Sequence, residues 1–154
     1  MYLPLCYGLQ MSCRLYLVIP PKPEPRDFVE SLRRALSAGD VAALQLRLKD
    51  ASDEEIKRAV EVLMPIAQQR GVALILNDRP DLAERFGCDG VHIGQEDGTY
   101  SEAGAAIGPD RIVGVTCHNS RRYAIEAAVA DMVRLSVANL SSARTRTRSN
   151  CSVA

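Results

Sequence analysis

A chain of 154 residues, 47% apolar and 25% charged, has the make-up of one soluble globular domain long enough to bury a sizeable core. Its 19 basic and 19 acidic side chains cancel, so no global field argues for nucleic acid or for a strongly charged partner. Aromatic content of 5% without Trp argues equally against a base-stacking surface.

The opening stretch, MYLPLCYGLQMSC, is apolar but lacks the basic region and the length of a secretory signal. Residues 1–13 therefore read as an N-terminal extension, with translation able to begin at Met11. No apolar run nears the roughly 20 residues of a membrane span. Cys6, Cys13, Cys88, Cys117 and Cys151 are odd in number and form no C-x-x-C. Neither a disulfide framework nor a zinc knuckle is expected, and a reduced, cytoplasmic setting is.

From Arg14 the chain alternates. Apolar runs fall at 15–19, 42–46, 73–76, 90–93 and 112–115, bounded by turn residues as strands are. Between them the spacing predicts helices. Asp27 to Ala38 places Phe28, Leu32, Ala35 and Leu36 on one stripe, and Gly39 stops it. Ser52 with Glu55 three residues on forms a capping box for the next helix, which ends near Gly71 with a kink or break expected at Pro65. Pro80 opens a two-turn helix closed by Gly87. A short helix is expected over 100–107, and another over Ser120 to Ala130 with Ser120 as N-cap. Strand–helix alternation with continuous apolar strands means a parallel sheet, expected to be buried on both faces. Periodicity alone does not choose between an open doubly wound sheet and a (β/α)₈ barrel.

In either fold, ligand groups belong just past the carboxyl ends of the strands. Gln45, Arg47 and Lys49 stand there after the second run, Asn77 and Asp78 after the third, Gln95 and Asp97 after the fourth, and Thr116 and His118 after the fifth. No glycine-rich nucleotide fingerprint follows any strand. The rim set suits a hard divalent ion: Mg²⁺ takes one or two carboxylates, here Asp78 and Asp97, and fills its octahedron with water and phosphate oxygens. Arg47 and Lys49, two apart and on one face of an extended segment with Gln45, would balance the rest of a diphosphate. Each residue also has a plainer role. Asp78 could cap the helix after it, Asp97 could close a turn with Gly98, Arg47 and Lys49 could be solvated charges, and His92 could be a satisfied core histidine. Cys117 and His118 lack the paired acid of a nucleophile.

The stretches LYLVI, ALQLRLKD, ALILNDRPDLAERFGCDGVHIGQED, IGPDRIVGVTCHN and EAAVADMV, spanning about Arg14 to Asp131, resemble thiamine-phosphate synthase. The resemblance implies a (β/α)₈ barrel, here incomplete, with about five β/α units and a stub of strand six at ADMV. It implies the joining of a hydroxymethylpyrimidine diphosphate to a thiazole phosphate with release of diphosphate. Carried over by position, Gln45, Arg47, Lys49, Asn77 and Thr116 bind the pyrimidine diphosphate, and Asp78 and Asp97 hold Mg²⁺. Arg47 and Lys49 carry the catalytic charge, stabilising the leaving diphosphate while a pyrimidine methyl cation forms and the thiazole nitrogen captures it. Thr116 stands where the family usually has Ser, and Leu48 where it usually has Glu. An isomerising relative of the same superfamily and a non-catalytic binding fragment are the alternatives.

Residues 132–154 hold four arginines and no acid, and no counterpart of the family's thiazole-phosphate strands. They are expected to be a disordered, non-family tail, such as an out-of-frame reading of a GC-rich coding sequence would yield. Small-molecule substrates, no nucleic acid, no membrane and a possible oligomer complete the expectation.

Overall fold

The computed structural model describes residues 14–19, 25–130 and 136–137. The extension at 1–13 and nearly all of 131–154, with Cys6, Cys13, Cys151 and the tail arginines, lie outside the described residues. Strands β1 (Leu15–Val18), β2 (Val41–Leu46), β3 (Ala73–Asn77), β4 (Gly90–Ile93), β5 (Ile112–Thr116) and β6 (Ser136–Val137) form one sheet. Between them run helices α1 (Pro25–Ala38), α2 (Asp53–Gln68), α3 (Pro80–Arg85), α4 (Tyr100–Ile107) and α5 (Arg121–Ala130).

Every pair is parallel, and the strands lie in sequence order. A doubly wound sheet reverses its order part-way, so this order is that of a barrel wall. Curvature confirms it. Tyr16 in β1 and His92 in β4 are separated by two intervening strands, yet the Tyr16 hydroxyl comes within 3.4 Å of His92 Nδ1 across the concave face.

The two faces of the wall differ because strand side chains alternate. Leu17, Leu44, Leu46, Leu74, Leu76, Val91, Ile93, Val113 and Val115 form the convex face. They join Leu32, Leu36, Ile56, Val60, Leu63, Leu82, Ala103 and Ile107 from the helices in a single apolar cluster. Each such Leu, Ile or Val contributes about 1.5–3 kcal/mol by leaving water. The concave face carries Tyr16, Val18, Ala43, Gln45, Ala73, Ile75, Asn77, Gly90, His92, Ile112, Gly114 and Thr116, most of which are smaller or polar. Helices thus cover one face, not the two that the apolar strands suggested. Because the sheet curls, concave-face residues such as Ile75, Gln45 and His92 bury one another instead.

Local signals act as their chemistry dictates. The Ser52–Glu55 capping box is formed, and Thr99 with Glu102 forms a second one at α4 that the pattern reading passed over. Helix α2 runs on across Pro65 and ends at Gln68; the ring lies on the exposed side only one turn from the end. Strand β6 falls at 136–137, a little beyond the stub expected at 130–133. At the amino ends of the strands, the Asp89 side chain accepts from the Leu74 amide at 2.8 Å while its own amide donates to the Leu74 carbonyl at 3.0 Å. That carboxylate ties β3 to β4 at the end opposite the rim.

Two glycines of opposite character test this packing. A Cβ on Gly90 would sit 2.2 Å from the Ile112 carbonyl oxygen, whereas one on Gly104 in α4 meets nothing within 4 Å. Gly90→Ala should lower unfolding free energy by about 1–3 kcal/mol, as overpacking does. Gly104→Ala should raise it by about 0.5–1 kcal/mol by removing backbone freedom from the unfolded chain. Urea denaturation of both variants checks the pair.

Candidate active site

The carboxyl ends of β2 to β5 bring most of the expected residues to one rim. Gln45, only 5% exposed, donates from Nε2 to Asn77 Oδ1 at 2.6 Å. Asn77 Nδ2 in turn donates to Asp78 Oδ2. Gln45 pairs in the ladder with Ile75, two residues before Asn77, so its amide reaches one strand over and one step toward the rim. His92 repeats the gesture: it pairs with Gly114 and reaches Thr116, with Nε2 2.8 Å from Oγ1.

Asp78 sits at φ 61°, in the left-handed region that a non-glycine residue enters at a cost. Its amide donates to the His92 carbonyl at 2.7 Å, extending the β3–β4 ladder by one bond and pinning the turn. Three non-glycine residues have positive φ among the described residues, Asp50, Asp78 and His118, and all follow the carboxyl ends of strands. Strain of this kind gathers where geometry is dictated by function. Asp78 does not cap α3, whose N-cap is Arg79 and which has no side-chain capping hydrogen bond.

Asp97 arrives by a different device. The loop after β4 folds back so that the Gly94 amide donates to Asp97 Oδ2 at 2.8 Å. A Cβ on Gly94 would meet that oxygen at 2.7 Å, so a side chain at 94 would make the carboxylate shift. From there the Asp97 carboxylate acts on the Asp78 carboxyl. Burial and then the adjacent Asp97 carboxylate push the Asp78 carboxyl up to about 6; Arg47 and Asn77 pull the other way without cancelling them. The side chain keeps solvent access, which damps the energetic weight of the shift.

Arg47 is half-buried past the end of β2, and its charge is felt at both Asp78 and His92. Lys49 is not gathered in the same way. Strand pairing stops at Leu46, and residues 49–50 form an exposed turn with Asp50 at φ 59°, so the two-residue alternation no longer governs where Lys49 points. Arg79 is tied to Asp53 and Asp81 at 2.9 and 2.7 Å, off the carboxyl pair. Gln95 donates to the Cys117 carbonyl at 3.2 Å, linking the β4 and β5 loops. Cys117 is buried, and burial raises its thiol, opposite to what a nucleophile needs. His92, 6% exposed, is a satisfied interior residue with hydroxyl partners on both ring nitrogens.

Among the described residues, no group of three or more His, Cys, Asp or Glu is placed to hold a metal ion. Asp78 and Asp97 are thus a pair, not a larger cluster. Also among the described residues, no helix is long and apolar enough to cross a membrane. A cavity of about 380 Å³ between α4 and the start of β5, lined by Tyr100, Gly104, Gly108, Arg111 and Val113, touches none of the rim residues.

A family model described as thiamine monophosphate synthase matches residues 15–149. The chain belongs to the thiamine monophosphate synthase family. The match continues past Asp131 through most of the arginine-rich segment. Similar family members include the thiamine-phosphate synthase of Rhodospirillum centenum, 64% identical over 116 residues that are 75% of this chain and 56% of that one. That of Hyphomonas neptunium is 43% identical over 122 residues, 74% and 54% of the two chains. The solved thiamine phosphate pyrophosphorylase from Pyrococcus furiosus superposes with TM-score 0.65 at 32% identity, covering 77% of this chain and 56% of that one. The likeness identifies the curved sheet as part of a thiamine monophosphate synthase-like barrel. The chain spans about half the length of the family members it matches.

Asp78 yields a pH prediction for the metal-free protein. Its folded-state value, about 6, lies above the roughly 3.9 of a free Asp. As pH rises from about 4 to about 6 the unfolded chain releases this proton first, so the group's stabilising contribution is present below the window and lost across it. Asp78→Asn should flatten that decline and leave the variant more stable than the parent above pH 6, as read by denaturant midpoints across pH in the presence of a chelator.

Proposed function

We propose that this chain binds a hydroxymethylpyrimidine diphosphate through Mg²⁺ held by Asp78 and Asp97. This is the pyrimidine half of the thiamine-phosphate synthase reaction, in which that pyrimidine is joined to a thiazole phosphate and diphosphate leaves. The observation that carries the reading is the Asp78–Asp97 pair, two carboxyls from successive strand ends close enough for the Asp97 charge to raise the Asp78 pKa. Like charges so placed repel, and a hard cation with all-oxygen preferences relieves the repulsion better than one proton does. When bound, Mg²⁺ supplies the positive charge that a departing diphosphate needs.

The chain's own groups do the rest. Arg47 presents a forked guanidinium to phosphate oxygens beside the carboxyl pair. Lys49 contributes a second cation from the exposed turn. Gln45 and Asn77 orient each other, and Asn77 in turn holds Asp78 Oδ2, so the first carboxylate meets its cation in a set geometry. Thr116 places a hydroxyl on the same rim for the pyrimidine. Charge stabilisation, not proton transfer, drives the step: the leaving diphosphate is neutralised, and the pyrimidine methyl cation left behind is captured by the thiazole nitrogen. A second reading is binding of the pyrimidine diphosphate without turnover.

Calorimetric titration with hydroxymethylpyrimidine diphosphate should show Mg²⁺-dependent binding that Asp78→Ala and Asp97→Ala each weaken by about 100-fold. Arg47→Ala should weaken it by about 10- to 100-fold, the weight of a charge-assisted hydrogen bond. Binding indifferent to Mg²⁺ and to these changes would overturn the reading. Formation of thiamine phosphate from both substrates separates the synthase from the binding fragment.

A further inference from the structure

The His92 ring is sealed into the concave face with a hydroxyl at each nitrogen, Tyr16 at 3.4 Å from Nδ1 and Thr116 at 2.8 Å from Nε2. Burial, reinforced by the Arg47 charge and opposed by that of Asp97, lowers its pKa and so favours the neutral ring. A neutral imidazole has one N–H and one lone pair, so one hydroxyl must donate to it and the other must accept from it. Two arrangements satisfy this. If Thr116 donates to Nε2, then Nδ1–H points at the Tyr16 oxygen. The phenol hydrogen is then left half-buried, in surroundings that raise the phenol pKa by desolvation, with no other acceptor among the described residues. If Tyr16 donates to Nδ1, then Nε2–H donates to Thr116, and the hydrogen left over belongs to Thr116, half-exposed at the rim. The chemistry of the groups agrees, since a phenol is a better donor and a poorer acceptor than an alkyl alcohol.

A second, independent observation concerns Gly114. A Cβ there would lie 2.5 Å from His92 Nδ1, so the ring rests on bare backbone and stays in place only while position 114 has no side chain.

We propose that Tyr16, His92 and Gly114 are positioning residues for Thr116. They fix His92 as the Nε2–H tautomer, which occupies the Thr116 oxygen from within and turns its hydroxyl hydrogen outward as a donor to the rim ligand. The proposal depends on the pyrimidine-diphosphate reading only for the name of that ligand. None of the three residues needs to touch it.

The protein has only two histidines, His92 and His118, so ¹⁵N spectra of imidazole-labelled protein resolve each ring. With the imidazole neutral, His92 should appear as a single Nε2–H tautomer in the intact chain and as a mixture in Tyr16→Phe. Gly114→Ala should displace the ring and break its link to Thr116. Mg²⁺ with hydroxymethylpyrimidine diphosphate should bind Tyr16→Phe about three- to tenfold more weakly than the parent. In a Thr116→Val background the same change should have no further effect. An Nδ1–H tautomer in the parent, an unchanged Tyr16→Phe spectrum, or additive losses in the double variant each overturn the proposal. If the parent shows the expected tautomer but binds no pyrimidine diphosphate, the positioning of Thr116 stands and the functional reading falls.

Discussion

Everything in this protein depends on the strict alternation of side chains along parallel strands. One set of positions feeds a continuous Leu, Ile and Val layer under the helices, and the other set turns toward the axis of a curled sheet. Because the two sets interleave residue by residue, the chain cannot enlarge one face without disturbing the other. The convex layer supplies stability; the concave one is left free to carry amides, an imidazole and hydroxyls. Strands in sequence order and curvature that closes Tyr16 on His92 then bring the carboxyl ends of four strands together at one rim.

At that rim, polar groups are held by a recurrent diagonal. Gln45 reaches Asn77 and His92 reaches Thr116, each one strand over and one step toward the open end. Buried polar groups are costly unless paired, and these are paired with one another in a way that also aims the exposed groups. The carboxyl pair stands at the top of this scaffold, with like charges brought together by backbone devices: a left-handed Asp78 anchored to the His92 carbonyl, and an Asp97 folded back on Gly94. Neither device would persist for stability alone, since the shift of Asp78 toward its protonated form marks an arrangement that disfavours its own charge.

Much of this was readable in the residues. Strand positions followed from short apolar runs, the α2 capping box from Ser52 and Glu55, and the rim set from what stands just after each run. The face of the sheet that helices cover was not, because a fully apolar strand looks the same whether its second face meets helices or a curled interior. Lys49 shows another limit: two-residue spacing carries direction only while strand pairing lasts, and pairing ends at Leu46. The link from Tyr16 to His92 joins residues 76 positions apart, across the hollow of the sheet, where no local pattern reaches. Gly94 and Gly114 could be seen as glycines after or within strands, but which atom each makes room for appears only in three dimensions.

The left-handed backbone at Asp78 also sets what the position can become. Asp and Asn tolerate that conformation because a short polar side chain can bond locally, and Gly tolerates it for want of a Cβ; longer or branched side chains meet their own backbone there. Glu, the usual stand-in when a carboxylate is to be kept, therefore changes two things at this site at once, the reach of the charge and the comfort of the chain. Position 78 has a narrow mutational alphabet imposed by backbone shape before any chemistry is considered. Drift at this rim is accordingly expected to run between Asp, Asn and Gly, with charge lost sooner than shape.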